Sequence, residues 1–564
     1  MKKLLKNRPW IKYYNEVPYS INYPDISMFE LIKQTSIIYP YNTAYEYYGK
    51  LCNYKRFIVK IEEAAKGFKA LGINKGDRVT VCMPNTPQGI ISFYALNMIG
   101  AIAVMIHPLS SENEIEFYIN KTESKIILTI DIVFEKINKV VGNTCAKKVI
   151  VAPISVDMKL ARSFLYWITK GRKHDIGKTK NIITWNEFID QGYEYLGKVE
   201  EKTTGNDPAI ILFSGGTTGK PKAILLSNLN FNAQAMQSHL MCDPSKEGDS
   251  ILSIMPIFHG FGLAVCIHTP LYTGMKCILI PDFSSKKFYK LIKKYKPNFL
   301  VGVPTLFESL INNKKIGKSD LSCVTCLVSG GDSLSAALKH KVDDFLFNHG
   351  CSAEVRQGYG LTESSGASCL SPTGNYRNNS IGIPFPDTIY KIVKLGTHEE
   401  ADADTDGEIC ISGPTIMMGY LGDEKETIST IQKHGDGITY LHTGDIGSMD
   451  EDGYVYFKQR LKRMIVSSGY NIYPSHIEEI INNYPKVLAC TVIGVPHPYK
   501  VQVAKAFIVL KDNIKPSDSI KKEIKNYCKK NIASYSLPYE YEFRTSIPKT
   551  LVGKVAYTKL EEDK

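Results

Sequence analysis

The stretch Ser214-Gly-Gly-Thr-Thr-Gly-Lys-Pro-Lys-Ala223 follows an apolar run at residues 209–213 and precedes a shorter apolar segment at 224–226. Glycines let backbone amides approach a ligand closely, the hydroxyls donate hydrogen bonds, and Lys220 and Lys222 add positive charge. This combination predicts a loop after a buried strand that holds the phosphates of a nucleotide. A flexible turn without a ligand is the alternative interpretation.

The loop does not satisfy the Walker pattern G-x-x-x-x-G-K-[ST]. Pro221 follows Gly219-Lys220, where the pattern requires serine or threonine. Ser214 stands five residues before Gly219, where the pattern requires glycine. The sequence therefore excludes an ordinary P-loop NTPase.

The chain of 564 residues is too long for one core, and its length predicts about three or four folding units. Apolar residues at 43% and charged residues at 22% are ordinary for a soluble globular protein. The net charge of +12 is spread along the whole chain, whereas a nucleic-acid interface would need a clustered basic stripe. The composition predicts no nucleic-acid partner and weakly favours anionic substrates.

The thirteen cysteines are scattered and lie mostly in apolar runs, which predicts buried thiols in a reducing compartment. The close pair Cys323 and Cys326 lacks a second pair and a nearby histidine cluster, so it does not predict a metal site. No apolar run typical of a signal peptide follows the N-terminal lysines. Prolines, histidines and a lysine interrupt the apolar segment 251–280, so we expect no membrane span and a cytoplasmic protein.

Helical and strand patterns alternate along the N-terminal part of the chain. They predict helices at residues 57–71, 88–99 and 112–120, and strands at 77–83, 101–106 and 126–130. The same alternation returns over residues 250–347. Alternating strands and helices are typical of a parallel, doubly wound sheet, so the predicted fold class is α/β.

Residues 155–208 interrupt this alternation. Leu160, Phe164, Trp167 and Ile168 lie near one face of a predicted helix, and they are surrounded by basic residues. Such a helix, within residues 155–180, could contact an anionic membrane peripherally. We favour the other interpretation, a helix docked on its own domain, because one short apolar stripe is weak evidence.

The sequence pattern changes after Gly374. Polar turns and short strands, such as 407–412 and 453–457, predict a β-rich subdomain from about residue 375. Beyond Arg460 the pattern predicts strands at 464–466, 489–495 and 505–510, and helices at 475–483 and 517–532. We therefore predict a large domain over residues 1–459, with two α/β subdomains and the β-rich one. A small α+β domain would occupy residues 460–564.

Five further stretches carry chemistry: Val328-Ser-Gly-Gly-Asp-Ser-Leu334, Gln357-Gly-Tyr-Gly-Leu-Thr-Glu363, Thr443-Gly-Asp445, Arg460-Leu-Lys-Arg463 with the following Ser468-Gly-Tyr-Asn-Ile-Tyr-Pro474, and Pro548-Lys-Thr-Leu-Val-Gly-Lys554. Tyr359 could stack on a purine, Thr362 could bind phosphate, and Glu363 could hold magnesium. Asp445 suits a ribose diol. Each stretch alone is weak evidence.

Together and in this order, these stretches resemble the adenylate-forming superfamily of acyl-CoA synthetases, luciferases and carrier-loading adenylation domains. The resemblance covers residues 8–560. Arg8-Pro-Trp10, Gly469-Tyr-Asn-Ile-Tyr-Pro474 and the tail 538–554 most resemble bacterial long-chain fatty-acid–CoA ligases. The resemblance implies a ligase that uses ATP and Mg²⁺ to join a fatty acid to coenzyme A through an acyl-AMP intermediate, with a mobile C-terminal domain.

The resemblance also implies roles for individual residues. Lys554 would be the adenylation lysine, Thr362 would serve the α-phosphate, and Glu363 would serve magnesium. His259 would gate the passage between the acyl pocket and the thiol tunnel, or it is a buried structural histidine. The implied nucleotide and hinge residues are Thr217, Thr218 and Lys222 in the phosphate loop, Gly330, Gly331 and Tyr359 around adenine, Asp445 and Arg460 on the ribose, Lys462 at the hinge, and Gly469 beyond it.

Three positions depart from the family pattern: Ala223, Gln459 and Arg463 stand where glycine, Asp or Gly, and Asp are common. None of these departures removes an implied catalytic group. An adenylating ligase for another acid, or one that loads a carrier protein, stays open, as does a homodimer. A non-catalytic acyl- or nucleotide-binding relative is disfavoured because Thr362, Glu363 and Lys554 are all present.

Overall fold

This computed structural model describes residues 8–169, 181–214, 221–242, 246–467, 470–498, 500–532, 536–550 and 555–562. Two large sheets form the N-terminal part of the fold. The first sheet runs, in spatial order, through Gly419–Tyr420, Lys222–Ser227, Pro208–Ser214, Ile102–Met105, Arg78–Cys82, Ile126–Ile130, Lys148–Ala152 and Ile182–Thr184.

The second sheet runs, in spatial order, through Ile383–Pro384, Cys369–Leu370, Val355–Tyr359, Cys326–Ser329, Phe299–Gly302, Ser250–Ser253, Lys276–Leu279, Thr43–Tyr47 and Lys50–Asn53. The central strands of both large sheets are parallel, as predicted. Antiparallel strands lie at the edges of both sheets. One of these pairs joins Pro208–Ser214 to Lys222–Ser227, so the phosphate-loop strands form an antiparallel pair, which the sequence did not predict.

The third sheet is antiparallel, and its first strand begins at Ile389. It contains Ile389–Val393, Gly407–Ser412, Thr439–Met449, Ile431–Lys433 and Val455–Arg460. A separate C-terminal sheet contains Tyr470–Ile472, Ile465–Ser467, Val501–Leu510, Val487–His497 and Glu540–Phe543. That sheet has its own core, including Ile477, Val492, Ile508 and Ile524.

Helices cover the sheets in the order expected for an α/β protein. The α-helices are Met28–Ile38, Tyr54–Ala70, Pro87–Met98, Glu112–Thr122, Asp131–Val140, Leu160–Thr169, Trp185–Tyr193, Asn228–Met241, Thr269–Tyr272, Phe288–Tyr295, Pro304–Ile311, Ala336–Phe347, Glu424–Thr430, Pro474–Asn482, Asp518–Asn531 and Tyr557–Glu562. Short 3₁₀ helices include Pro9–Tyr13, Val141–Asn143, Ser285–Lys287, Lys314–Ile316, Thr362–Ser364 and Leu461–Arg463, and Phe261–His268 is a π-helix.

Local sequence signals explain several of these boundaries. Ser111 and Glu114 form a capping box, which satisfies the first amide groups of the helix Glu112–Thr122. Thr86 caps Pro87–Met98, whose first residue is proline, the residue best suited to a first helical turn. Gly100 follows this helix at φ +69°, a backbone conformation that glycine adopts without the strain of a side chain.

The interruption predicted for residues 155–208 is smaller than expected. Ile182–Thr184 joins the edge of the first sheet, and Trp185–Tyr193 packs on the helix Tyr54–Ala70. The two helices approach closely because Gly67 has no side chain. A Cβ at this position would lie 2.7 Å from the Phe188 ring. The α/β pattern therefore continues here through a strand of three residues, which is too short to give a clear periodicity.

Candidate active site

A cleft of about 1930 Å³ lies where the three N-terminal sheets meet the C-terminal unit. Its walls come from the antiparallel strand pair of the first sheet, the carboxyl ends of the second-sheet strands and one side of the third sheet. The predicted site residues that line it are Lys222, His259, Gly330, Gly331, Tyr359, Thr362, Glu363, Asp445, Arg460 and Lys462. The predicted residues Thr217, Thr218, Gly469 and Lys554 lie outside the described residues.

A buried carboxylate, that of Asp445, organises one wall of the cleft. Asp445 and Arg460 are opposite each other in two paired strands of the third sheet, which explains why residues fifteen positions apart meet. Arg460 Nε lies 2.8 Å from Asp445 Oδ1, and the Tyr359 hydroxyl donates to Asp445 Oδ2 at 2.6 Å. Asp445 is 0% exposed, so this carboxylate is held in one position by the arginine and the tyrosine.

The same contacts set the protonation of this cluster. Burial raises the pKa of Tyr359 well above its usual value, and the nearby Asp445 carboxylate adds to this shift. Burial acts to lower the pKa of Arg460, but the Asp445 carboxylate together with Tyr359, Glu363 and Tyr420 raises that pKa above its usual value. The tyrosine hydroxyl therefore stays a donor and the arginine stays charged.

Glu363 lies in a 3₁₀ turn, Thr362–Ser364, just beyond the second-sheet strand Val355–Tyr359. The Tyr420 hydroxyl donates to Glu363 Oε1 at 3.2 Å. Lys222 Nζ lies 4.7 Å from the centre of the Tyr420 ring and pairs with the Glu426 carboxylate. A lysine and two carboxylates thus surround one aromatic ring, an arrangement able to bind phosphate oxygens and a divalent cation.

Sequence reasoning missed Tyr420 and Glu426. Tyr420 reaches the site because the two-residue strand Gly419–Tyr420 pairs with Lys222–Ser227, where Tyr420 lies opposite Ile224. No local pattern marks a two-residue strand or links it to a partner almost two hundred residues away in the sequence. Glu426 follows on the helix Glu424–Thr430.

Two glycines form a flat part of the wall beside Tyr359. Gly330 and Gly331 follow the second-sheet strand Cys326–Ser329 at its carboxyl end, where ligands of open α/β sheets bind. Gly331 has φ +79°, and a Cβ at Gly330 would lie 3.1 Å from the Phe261 ring. Bare backbone next to an aromatic ring suits a planar base.

His259 lies on the wall of the cleft just before the π-helix Phe261–His268. It is half-buried, and its Nδ1 accepts a hydrogen bond from the Phe261 amide at 3.3 Å. Sequence reasoning missed His107, which also lines the cleft and packs on the Phe258 ring at 4.1 Å. Burial lowers the pKa of His107, so this imidazole stays neutral near pH 7.

One section of the cleft is apolar. Its walls there come from the second sheet and the adjoining π-helix. The apolar lining residues include Ile251, Val265, Met275, Phe299 and Val301. Val265, Phe299 and Val301 are each less than one-tenth exposed, so this part of the cleft is screened from solvent.

The connection between the third and C-terminal sheets borders the cleft. The exposed Lys462 lies in the short helix Leu461–Arg463, between the strands Val455–Arg460 and Ile465–Ser467. Arg463 Nη2 lies 2.6 Å from Glu478 Oε1, and the guanidinium stacks 4.1 Å from the centre of the Tyr557 ring. Arg463, one of the departures from the family pattern, thus anchors this turn to the C-terminal unit.

Described residues before position 551 and after position 554 border the same cleft. Lys549 and Val555 form an antiparallel bridge, and the Ala556 amide donates to the Pro548 carbonyl at 2.9 Å. Lys549, Thr550 and Val555 line the cleft. The described residues on both sides of Lys554 therefore lie at the cleft wall contributed by the C-terminal unit.

The thiols agree with the expectation from the sequence that they are buried. All thirteen cysteines lie among the described residues as free thiols, and most are buried. In the part of the chain that the structure describes, no helix is long and apolar enough to cross a bilayer.

Comparisons with known proteins support the resemblance drawn from the motifs. A model of the AMP-binding enzyme family matches residues 35–421, and a model of the AMP-binding enzyme C-terminal domain matches residues 476–554. A long-chain-fatty-acid–CoA ligase of Bacillus subtilis (strain 168) is 32% identical over 561 residues, covering 99% of this chain and 98% of that protein. The enzyme of the same description from Salmonella typhimurium (strain LT2) is 29% identical, covering 100% of this chain and 98% of that protein.

Solved structures share the fold. Anthranilate CoA ligase AuaEII in complex with anthranoyl-AMP superimposes with a TM-score of 0.82 at 22% identity, covering 98% of each chain. ATP-bound MatB from Rhodopseudomonas palustris gives a TM-score of 0.82 at 21% identity, covering 96% of this chain and 99% of that one. Because the family model spans more than half of the chain and the Bacillus subtilis relative aligns along nearly all of it, this chain belongs to the AMP-binding enzyme family.

Proposed function

We propose that this protein is a long-chain fatty acid–CoA ligase that converts a fatty acid, ATP and coenzyme A into acyl-CoA, AMP and pyrophosphate. The supporting observation is that one cleft joins the Asp445–Arg460–Tyr359 cluster to a solvent-screened apolar section. A polar end suits the nucleotide and an apolar end suits an acyl chain. The names of the relatives from Bacillus subtilis and Salmonella typhimurium favour the same substrates.

In this proposal the first half-reaction joins the carboxylate to the α-phosphate and releases pyrophosphate. Asp445 and Arg460 bind the ribose, while Gly330, Gly331 and Tyr359 frame the adenine. Thr217, Thr218 and Lys222 bind phosphate oxygens. Thr362 orients the α-phosphate and Lys554 approaches the reacting oxygens. These groups offset the repulsion between the substrate carboxylate and the phosphates, which is the main obstacle to attack.

The proposed site needs a magnesium ion, and its donors fit one. Glu363 offers a carboxylate oxygen, the ligand type that Mg²⁺ prefers, next to the phosphate-binding wall. The ion would neutralise phosphate charge when bound. Lys222 Nζ lies 4.7 Å from the centre of the Tyr420 ring, and the Tyr420 hydroxyl contacts Glu363. The lysine therefore adds a second positive charge near the proposed magnesium position.

The second half-reaction transfers the acyl group to the thiol of coenzyme A. We propose that residues 460–564 form a domain that moves relative to residues 1–459 about Lys462, with Gly469 just beyond the hinge. His259 would gate the passage between the apolar section and the thiol. The large domain would consist of the two α/β sheets and the third sheet.

ATP–pyrophosphate exchange with acids from acetate to oleate tests this proposal. Exchange should peak at chain lengths of about twelve to eighteen carbons, because each buried methylene contributes about 0.8 kcal/mol. With coenzyme A present, the same acids should give thioester. The Glu363→Gln variant is the control for the proposed magnesium site. Glutamine keeps the size of the side chain but removes the charge that would hold magnesium.

The outcomes separate the alternatives. Exchange that peaks with short-chain or aryl acids would indicate that the substrate is one of those acids rather than a fatty acid. Exchange without thioester in the presence of coenzyme A would indicate a ligase that loads a carrier protein. No exchange with any acid would favour a non-catalytic binding relative.

A peripheral membrane contact is a separate prediction from residues 155–180. The described part of this segment, the helix Leu160–Thr169, leaves Leu160 90% exposed, and the exposed Lys159 precedes it. If the segment binds anionic lipid, Leu160→Asp should lower the fraction of protein that floats with phosphatidylserine vesicles. Leu196→Asp is the matched control, because Leu196 is 97% exposed elsewhere. Equal flotation of both variants and the unchanged protein would contradict the prediction.

A further inference from the structure

Three histidines to which the proposed reaction assigns no role meet on the third sheet, and one of them, His442, lines the cleft. His442 lies on the strand Thr439–Met449, His434 follows the strand Ile431–Lys433, and His398 lies between the strands Ile389–Val393 and Gly407–Ser412. One ring nitrogen of each lies within 4.8 Å of one ring nitrogen of the other two. The rings of His398 and His434 are stacked, with centroids 4.3 Å apart.

Hydrogen bonds leave lone pairs in this cluster. His442 Nδ1 lies 2.8 Å from the Glu408 carboxylate, so Nδ1 carries the proton and Nε2 carries the lone pair. His398 Nε2 lies 2.8 Å from the Gln432 amide oxygen, which assigns the proton to Nε2 and the lone pair to Nδ1. His434 is 3% exposed, and its buried Nδ1 has no hydrogen-bond partner among the described residues.

The nitrogens His434 Nε2 and His442 Nε2 lie 2.9 Å apart. This contact holds either one proton between the rings or a cation that both rings ligate. Tetrahedral Zn²⁺ with Zn–N bonds of 2.0–2.1 Å would place ligand nitrogens about 3.3 Å apart. His434 and His442 are therefore close to this spacing, whereas the His398 ring, which is stacked on that of His434, has to rotate before its Nδ1 can face a shared ion.

We propose that His398, His434 and His442 form a binding site for a divalent transition-metal ion, with Zn²⁺ as the best match. Imidazole donors suit zinc rather than magnesium or calcium, which prefer oxygen. His398 is exposed, which provides an entry path and a fourth position for water. This proposal does not rest on the function proposed above.

A second arrangement of ligands shares His442. Glu408, Cys410 and His442 also bring one ligand atom each within 4.8 Å, and Cys410 Sγ lies 3.6 Å from His442 Nδ1. We favour the three imidazoles because Cys410 is fully buried and Glu408 already serves as a hydrogen-bond acceptor. A carboxylate that fixes the tautomer of a ligating histidine is the usual partner of such a ligand.

Glu408 also connects the proposed metal site to the cleft. Its Oε2 faces His442 Nδ1, and its Oε1 accepts from the Gly444 amide at 2.9 Å. Gly444 immediately precedes Asp445, the buried carboxylate of the candidate active site. Metal bound to His442 would thus brace the segment that positions Asp445, so Glu408 is a positioning residue in this proposal.

The test is zinc binding to the full-length protein without a histidine tag. A Cys145→Ser background removes the exposed thiol, which is a competing zinc ligand. We expect one Zn²⁺ per chain after desalting, measured by elemental analysis, and X-ray absorption with nitrogen and oxygen scatterers only. H398A should weaken zinc binding about tenfold or more, and E408Q about 10- to 100-fold. H340A is the matched control, because His340 is exposed on the helix Ala336–Phe347.

Several outcomes would overturn the proposal. If H398A binds zinc with the same affinity and stoichiometry as H340A, the histidine cluster is not the zinc site. Sulfur in the X-ray absorption spectrum would assign the metal to Cys410 or another thiol instead. H398A is the main variant because its side chain is exposed and its loss should not affect folding. At equal zinc concentration, zinc should raise the unfolding temperature of the H340A control more than that of H398A.

Discussion

Replacing Lys554 with alanine is expected to slow acid-dependent ATP–pyrophosphate exchange on the order of a hundred- to a thousandfold. In the proposed reaction, this lysine stands near the carboxylate and the α-phosphate as negative charge accumulates between them. At about 4 Å and an effective dielectric near 20, one such ion pair is worth about 4 kcal/mol before desolvation. Since about 1.4 kcal/mol changes a rate tenfold, part of that energy accounts for the expected loss.

Two comparisons give this experiment its specificity. Lys530→Ala removes the same charge from an exposed position on the helix Asp518–Asn531 and should leave exchange unchanged. Thioester formation from preformed acyl-AMP and coenzyme A should be affected much less by Lys554→Ala than exchange is. If both half-reactions fall equally, or if exchange persists at the rate of the unchanged protein, Lys554 does not act in adenylation.

The long apolar segments allowed most of the fold to be predicted. The strand Ile126–Ile130 was predicted with the bounds that the structure has, and the helix predicted at 57–71 is Tyr54–Ala70. Their periodicity is strong because one whole face or the whole strand is buried. The antiparallel strands at the sheet edges were not predicted, because pairing direction depends on contacts between distant segments rather than on local pattern.

The candidate site was likewise predicted from the sequence only in part. Asp445 and Arg460 were predicted from their motifs, and the strand register that places them opposite each other is short-range. Tyr420 and His434 were not predicted as site residues. Tyr420 depends on a two-residue strand, and the histidines at 398, 434 and 442 have no regular ligand spacing. Tyr420 reaches the site only when the first sheet is assembled, and the histidines meet only when the third sheet is assembled.

Replacing Lys462 with proline is expected to preserve acyl-AMP formation and to slow thioester formation on the order of a hundredfold. Proline fixes φ near −65°, which the short helix Leu461–Arg463 already requires. The described arrangement, with Lys549 and Thr550 on the cleft wall, is therefore retained. A rotation of the C-terminal unit would need a different φ at this position, and the proline would oppose it.

Comparison with Lys462→Ala separates the backbone from the side chain, because alanine removes the charge but leaves φ free. The ratio of thioester formation to pyrophosphate exchange should fall sharply for the proline variant and much less for the alanine variant. Both neighbours of the turn are extended, with ψ 136° at Arg460 and 127° at Met464, so the turn connects two strands that cannot themselves bend easily. If the proline variant loses both half-reactions equally, the turn stabilises the site rather than serving as its hinge.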